Sequence, residues 1–136
     1  MFTLDERLNN DCIQLGESDS SILLLMNNAH FHWFILVPKT GKTEFYELDE
    51  PQQQELLREI NALSEFIRCE YQPCKLNIAT IGNIVSQMHI HVIGRQTTDP
   101  CWPGVVWGSP HKIPYTDEAV NTIRTRVDAR LAPYFS

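Results

Sequence analysis

Three polar residues alternate with apolar ones near residue 90, in the run Gln87-x-His89-x-His91. Side chains two residues apart project from the same face of a β-strand, so this spacing predicts an amide and two imidazoles side by side. A neutral imidazole nitrogen can attack phosphorus, and the resulting phosphoramidate is labile enough to be cleaved again. A neighbouring polar side chain can fix which ring nitrogen carries the proton. One interpretation of the motif is therefore nucleophilic catalysis of phosphoryl transfer.

Residues on either side of the motif are suited to binding a phosphate group. Gly82 lets the backbone approach an anion closely, and Asn83 beside it adds an amide donor. Ser86 and Arg95 are further hydrogen-bond donors, one before the motif and one after it. We therefore expect an anion-binding site around the two histidines.

Two other interpretations of His89 and His91 remain open from the residues alone. His-x-His on a strand is good zinc-ligand geometry, but the site needs a third ligand. His30, His32 and His111 are candidates for that ligand, and their spacing selects none of them. In the second interpretation, both histidines are structural residues on a half-exposed strand and have no role in chemistry.

Composition limits the class of protein and its partners. The chain has 136 residues and a net charge of −6, from 11 basic and 17 acidic residues. This length predicts a single domain over residues 1–136. Without a basic stripe, binding of a nucleic acid duplex is not expected. No apolar run is long enough to cross a membrane and the first residues do not resemble a signal peptide, so a cytoplasmic protein with reduced cysteines and no membrane partner is expected.

Hydrophobic periodicity predicts the elements that position the motif. The first predicted helix begins with a capping box formed by Thr3 and Glu6. A second helix is predicted from Asp49 to about Cys69, and a third is capped by Thr116. A polar turn is expected over residues 16–21, and strands are expected over residues 22–26, 33–37, 43–48, 75–81 and 88–93. Residues 98–115 hold four prolines and form an irregular loop, which either packs on the core or acts as a specificity lid or subunit interface. Short connections favour a mainly antiparallel sheet in an α+β fold.

The segment over residues 75–95, KLNIATIGNIVSQMHIHVIGR, is similar to the signature segment of histidine-triad (HIT) proteins. The hallmark of that family is His-x-His-x-His followed by two apolar residues. The strand WFILVP over residues 33–38 also resembles HIT sequences. The stretch DPCWPGVVWG over residues 99–108 is similar to a bacterial subgroup sometimes named diadenosine tetraphosphate hydrolase-like. The resemblance spans roughly residues 2–133 and implies a five-stranded, mainly antiparallel sheet with one long central helix and a C-terminal helix, often in a homodimer.

The resemblance also implies a function and roles for single residues. It implies a nucleotide hydrolase or nucleotidyl transferase that acts at the α-phosphate of a nucleoside monophosphate derivative and needs no cofactor or metal. His89 matches the central histidine, which attacks the α-phosphorus in line and forms a nucleotidyl-histidine. His91 matches the last histidine, which contacts and orients the phosphate. Asn83 matches an amide that contacts phosphate, and Asn27 lies one residue from a position that often binds the ribose hydroxyls.

The chain departs from the family pattern at two positions. Gln87 stands where the first histidine is expected, and an amide can hydrogen-bond a phosphate but cannot shuttle a proton at pH 7. Trp33 stands where many members carry another histidine. The alternative function is therefore a nucleotide-binding module with little or no catalysis. Both functions have a small-molecule nucleotide as the expected partner.

Overall fold

The computed structural model describes residues 1–136 and has a five-stranded sheet with three α-helices. The strand order is β1-β2-β3-β5-β4, and every neighbouring pair is antiparallel. This architecture confirms the predicted α+β fold. The elements are α1 (Glu6–Asp11), β1 (Cys12–Glu17), β2 (Ser21–Met26), β3 (His32–Pro38), a 3-10 turn (Phe45–Glu47), α2 (Glu50–Tyr71), β4 (Lys75–Ala79), β5 (Ile90–Arg95) and α3 (Asp117–Leu131).

The long helix α2 begins where the sequence predicts it. The Asp49 side chain accepts from the Gln52 backbone N–H at 2.8 Å, and the Gln52 side chain accepts from the Asp49 N–H at 3.0 Å. This reciprocal pair satisfies two backbone donors that have no partner inside the helix. The helix ends at Tyr71, two residues beyond the predicted end, because Gln72 turns the chain with a φ of 46°. Its predicted apolar face is buried at Leu56, Ile60, Leu63 and Ile67.

The sheet separates two hydrophobic clusters. On β5, Ile90 and Val92 face the larger cluster, which is covered by α2 and α3. Ile93 belongs to the smaller cluster on the opposite face, together with Leu8 of α1 and Val106 of the proline-rich loop. Alternation along the strand therefore directs the side chain of His91 to the face that α1 and the loop cover.

Strand β5 approaches α2 closely at Gly94. A Cβ atom at this position would lie 2.6 Å from Cγ2 of Ile67. Such a distance is shorter than any ordinary contact, so only glycine allows β5 and α2 to pack at this separation.

None of the helices combines the length and the hydrophobicity needed to cross a membrane.

The N-terminal prediction was wrong in two respects. Asp5, not Thr3, caps α1, because its side chain accepts from the Arg7 N–H at 2.8 Å. The helix then ends at Asp11 and the chain enters β1, an edge strand that the sequence did not predict. The signal was weak because the register shifts between Gln14 and Gly16, which interrupts the alternation of buried and exposed side chains.

The strand predicted over residues 43–48 was also wrong. Residues 45–47 form a 3-10 turn, and the Glu44 N–H donates to the Glu47 side chain at 3.2 Å. Phe45 and Tyr46 are exposed, at 41% and 84%. The residues between 43 and 47 bury no face against the core, so a local hydrogen bond replaces strand pairing.

Candidate active site

A pocket of about 310 Å³ opens on the face of the sheet opposite α2 and α3. It lies where the loop over residues 80–89 enters β5, and it is bounded by α1 and the proline-rich loop. Four of the seven predicted site residues line it: Gly82, Asn83, His89 and His91. The remaining lining residues are Arg7, Leu8, Asp11, Met26, Ile35, Ile81, Ile84, Val85 and Trp107.

His89 is held in a single orientation immediately before β5. The residue is 7% exposed, and Nδ1 of its ring lies 2.6 Å from the backbone carbonyl oxygen of Gln87. A carbonyl oxygen can only accept a hydrogen bond, so Nδ1 of His89 carries the proton and donates it. In the neutral ring, Nε2 is then the unprotonated nitrogen with a free lone pair. This nitrogen is the candidate nucleophile.

His91 is held in the opposite tautomer. Nε1 of Trp33 lies 2.9 Å from Nδ1 of His91, and an indole N–H can only donate. Nδ1 of His91 is therefore unprotonated, and the neutral ring carries its proton on Nε2. Burial, with a smaller contribution from the charge of His89, lowers the pKa of His91 to about 4. His91 is consequently a neutral N–H donor at physiological pH.

The two imidazoles form one unit on the pocket wall. Their ring centroids lie 5.0 Å apart, with an angle of 67° between the planes. His89 offers a lone pair and His91 offers an N–H group, so the pair combines a nucleophile with a hydrogen-bond donor for an oxyanion. The imidazole pair predicted from the sequence is thus present, with tautomers that spacing alone does not determine.

The loop glycine and amide predicted for anion binding also line the pocket. Gly82 has a φ of 71°, a left-handed conformation that favours glycine. It turns the backbone at the entrance to the pocket, and Asn83 follows it with an exposed side chain. A phosphate group close to His89 would therefore lie beside this turn.

Trp107 extends the aromatic wall of the pocket. Its ring centroid lies 5.0 Å from that of His91 and 6.0 Å from that of Trp33. Nε1 of Trp107 is the one buried side-chain nitrogen or oxygen in the chain without a hydrogen-bond partner. Of the two roles left open for the proline-rich loop, packing on the core applies, because Val106 is buried in the smaller cluster and Trp107 packs against it. Trp107 also lines the pocket.

A buried ion pair fixes this loop to β5. Arg95 is 1% exposed, and its guanidinium donates to both carboxylate oxygens of Asp99, at 2.7 and 3.1 Å. It also donates to the Asn77 side chain at 3.0 Å and lies 5.3 Å from the ring of Trp102. The guanidinium of Arg95 is therefore hydrogen-bonded to other side chains of the protein. Arg95 does not line the pocket, so it is not the anion donor that the sequence predicted.

Three other predicted site residues lie outside the pocket lining. β5 begins at Ile90, so Gln87 precedes the strand, and its side chain binds the N-terminal segment instead of facing the two rings. This corrects the expectation of three polar side chains on one strand face. The Asn27 side chain accepts from the Tyr115 N–H at 2.9 Å. Ser86 borders a neighbouring cavity.

The sequence did not indicate that α1 contributes to the site. Arg7 and Asp11 lie one helical turn apart on α1, and both line the pocket. Charged residues on the polar face of a short helix are ordinary, so composition and periodicity give no signal for them. Their proximity to His89 depends on contacts between residues far apart in the sequence.

The structure brings no third metal ligand to the histidine pair. No group of three His, Cys, Asp or Glu side chains is placed to hold an ion anywhere in the chain. The ring of His32 stacks on that of Tyr71, with centroids 3.8 Å apart, while His30 packs against His111 at 5.9 Å. The three candidate ligands therefore have other neighbours.

Solved structures with the same fold include two bacterial proteins of closely similar length. A histidine triad protein from Marinobacter aquaeolei VT8 is 43% identical, with a TM-score of 0.93 and coverage of 98% of both chains. A histidine triad (HIT) protein from Sinorhizobium meliloti 1021 is 38% identical, with a TM-score of 0.91 and coverage of 96% of this chain and 97% of that chain.

A curated relative shows a more limited similarity. D-aminoacyl-tRNA deacylase 1 of Leishmania major is 36% identical over 81 residues, which are 60% of this chain and 47% of the relative. The chain thus spans about half the length of that relative. The profile of the HIT domain matches residues 7–98, which include the pocket loop and both histidines of the imidazole pair. With this match and the two bacterial structures, the chain belongs to the HIT domain family.

Proposed function

We propose that the protein is a nucleotide hydrolase or nucleotidyl transferase that acts at the α-phosphate of a nucleoside monophosphate derivative. HIT proteins are commonly hydrolases or transferases that act on nucleotides. The observation that carries the proposal is the pair of opposite tautomers, with the lone pair of His89 Nε2 and the N–H of His91 Nε2 on one pocket wall. The proposal takes residues 1–136 as one catalytic domain.

The proposed reaction has two in-line steps. Nε2 of His89 attacks the α-phosphorus, and the bond from phosphorus to the leaving group breaks with its electron pair on the leaving group. The oxygen of water or of another acceptor then attacks the phosphorus of the nucleotidyl-histidine and releases its proton to solvent, and the electron pair of the P–N bond returns to Nε2. His91 donates its N–H to a non-bridging phosphate oxygen in both steps. Asn83 and the turn at Gly82 support the same phosphate.

Other parts of the pocket suit the nucleoside. Leu8, Met26 and Ile35 give the pocket an apolar wall close to the imidazole pair. Such a wall can cover the face of a base, while the phosphate remains near the polar loop. These apolar side chains can contact the face of a ring and not its polar edge, so the wall suits any base.

Three further proposals concern the subgroup, the assembly and the location of the protein. We assign the protein to the bacterial diadenosine tetraphosphate hydrolase-like subgroup on the stretch over residues 99–108, which contributes Trp107 to the pocket. We propose a homodimer, supported by β4 as an edge strand with Ile78 half exposed. We propose a cytoplasmic location, supported by four cysteines without a disulfide.

A nucleotide-binding module with little catalysis is the second candidate. The observation that favours it is the side chain of Gln87, which is bound to the N-terminal segment and offers no proton to a leaving group. This candidate keeps the same pocket and the same ligand class. It differs from the enzyme only in the formation of a covalent adduct.

The deciding experiment traps that adduct. The protein is screened against dinucleoside polyphosphates, phosphoramidates, acyl adenylates and nucleotide sugars for release of the monophosphate. Rapid quenching with radiolabelled substrate should then leave label on the wild type and on His111→Ala, whose exposed ring lies outside the pocket. His89→Ala should lose label and about a thousandfold or more in turnover, while binding of the monophosphate survives. Normal turnover by His89→Ala would remove His89 as nucleophile, and binding without any adduct would establish the module.

A further inference from the structure

Arg7 is the one lysine or arginine that lines the pocket, and its side chain has no acidic partner. Its Nη1 donates to the carbonyl oxygen of Ile84 at 3.0 Å, and it forms no ion pair with a carboxylate. The remaining N–H groups of the guanidinium have no hydrogen bond within the protein. An arginine fixed by one bond at a pocket wall is suited to binding a phosphate with its other donors.

The negative net charge of the chain makes Arg7 important for the binding of an anion. The chain carries a net charge of −6, so an anionic ligand needs a local cation to reach the pocket. Asp11 is the one acidic residue that lines the pocket, and it lies one helical turn from Arg7 without forming an ion pair. The imidazole pair is neutral at His91, so the guanidinium is the fixed positive charge of the site.

Gln87 determines where α1 places this guanidinium. Oε1 of Gln87 accepts from the backbone N–H of Asp5 at 2.7 Å, and Nε2 donates to the carbonyl oxygen of Thr3 at 2.9 Å. The first of these bonds ends at Asp5, the residue that caps α1. Gln87 also supplies the carbonyl oxygen that orients His89. One residue therefore connects the candidate nucleophile to the helix that carries Arg7.

We propose that Arg7 binds a second anionic phosphate group next to the reacting α-phosphate, and that Gln87 is the positioning residue that holds Arg7 there through α1. This assignment rests on the function proposed above and adds to it the residue that favours nucleotides with at least two linked phosphates over monophosphates. The leaving group of such a substrate departs as a phosphate anion, which Arg7 stabilises and which needs less help from a proton donor than an amine does. The amide of Gln87 cannot donate a proton as an acid, so this class fits both residues.

Binding without turnover provides the test. Isothermal titration compares AMP with adenosine 5′-(α,β-methylene)diphosphate, which carries a second phosphate and resists cleavage at the α,β-linkage. The corresponding guanosine pair is measured in parallel. The wild type should bind the diphosphate analogue about tenfold more tightly than the monophosphate. Arg7→Gln should remove this preference and leave the affinity for the monophosphate within about twofold.

Arg124→Gln is the matched control. Nη1 of Arg124 donates to the carbonyl oxygen of Gln14 at 2.7 Å, and this arginine also forms no ion pair. The substitution removes the same charge from α3, outside the pocket, and should keep the wild-type preference for the diphosphate. An equal loss in both variants would show a general charge effect and would overturn the assignment of Arg7.

The positioning role of Gln87 requires a double-mutant cycle. Gln87→Ala should weaken binding of the diphosphate in the wild-type background, and it should change that affinity much less in the Arg7→Gln background. A loss of diphosphate affinity of the same size in both backgrounds would overturn action through Arg7. Gln87→Glu is the second variant if the alanine protein is unstable, because it keeps the acceptor for Asp5 while its other oxygen repels the carbonyl of Thr3.

The outcomes separate this inference from the proposed function. Binding of monophosphates with an unchanged diphosphate preference in Arg7→Gln would overturn the role of Arg7 and leave the proposed function standing. A wild type that binds none of the four nucleotides would overturn both. A variant that loses monophosphate affinity as well would show that Arg7 supports the pocket as a whole, which also overturns the second-phosphate site.

Discussion

The indole N–H of Trp33 donates to Nδ1 of His91 across 2.9 Å, and this bond determines which nitrogen of His91 faces the pocket as a donor. The register of β3 and β5 creates the contact, because Ile35 pairs with His91 and Trp33 lies two residues along on the same face. The tryptophan at position 33 therefore provides a hydrogen-bond partner for the imidazole of His91. It fixes the tautomer of His91 by a donor that cannot accept.

The tautomers of the two imidazoles are directly measurable. Long-range ¹H–¹⁵N NMR spectra at pH 8.5, where neutral imidazole predominates, should show His89 protonated at Nδ1 and His91 protonated at Nε2. The exposed rings of His30 and His111 serve as internal references. The opposite tautomer for His91 would contradict the bond from Trp33, and an Nε2–H tautomer for His89 would remove the candidate nucleophile.

Two matched substitutions separate a partnered indole from an unpartnered one. Trp33→Phe removes the donor to His91 and leaves a buried ring nitrogen without a partner, so we expect a loss of about 1–3 kcal/mol in the free energy of unfolding. Trp107→Phe removes an N–H that has no partner, so its cost should be smaller by about 1 kcal/mol or more. Urea denaturation measures both losses.

The same pair of variants also tests the pocket. The indole ring of Trp107 lines the pocket 5.0 Å from the His91 ring, so it can contact a bound nucleotide. We expect the smaller ring of Trp107→Phe to weaken nucleotide binding about fivefold to tenfold while it keeps most of the stability. Equal losses of stability in the two variants, with unchanged nucleotide affinity in Trp107→Phe, would reduce Trp107 to a packing residue.

Residues close in sequence made part of the site predictable. The spacing of His89 and His91 predicted neighbouring imidazoles, and the adjacent Gly82 and Asn83 predicted the loop that borders them. These four residues lie within one loop and the strand that follows it. Strand periodicity and the demands of a glycine turn are local properties, so a sequence is sufficient to show them.

Contacts between distant segments made the rest unpredictable. Gln87 binds backbone groups 82 and 84 residues away, which is why the sequence could not show that its side chain leaves the imidazole pair or that Arg7 joins the pocket. The side chain of Asn27 accepts a hydrogen bond from the backbone N–H of Tyr115, which lies 88 residues further along the chain. β1 was missed for another reason, since an interrupted edge strand carries little alternation.

The close contact of β5 with α2 predicts a specific sensitivity at Gly94. Gly94→Ala places a Cβ 2.6 Å from Ile67 Cγ2, so the strand and the helix must move apart. We expect a loss of about 1–3 kcal/mol, measured by thermal or urea denaturation. Gly41→Ala is the control, because a Cβ at Gly41 meets nothing within 4 Å. A neutral Gly94→Ala would show that the packing of β5 on α2 adapts without cost.

The low pKa of His91 makes folding stability depend on pH in a predictable direction. Burial, together with the charge of His89, lowers the pKa of His91 to about 4 in the folded protein, while an unfolded histidine titrates near pH 6.5. Above about pH 6.5 both states are neutral at this ring, and the contribution is constant. Between these values the unfolded chain binds a proton that the folded chain does not, so stability falls as the pH falls, by about 3 kcal/mol in total.

His91→Gln tests this dependence, because an amide oxygen can accept from Trp33 but does not titrate. Guanidinium denaturation at pH 7.5, 6, 5 and 4.5 should give a steeper loss of stability for the wild type than for His91→Gln. Burial also lowers the pKa of His32, and that contribution is common to both proteins and cancels in the comparison. Parallel curves would mean that His91 is protonated in the folded state well above pH 4, and the bond from Trp33 to Nδ1 would then not hold the ring neutral.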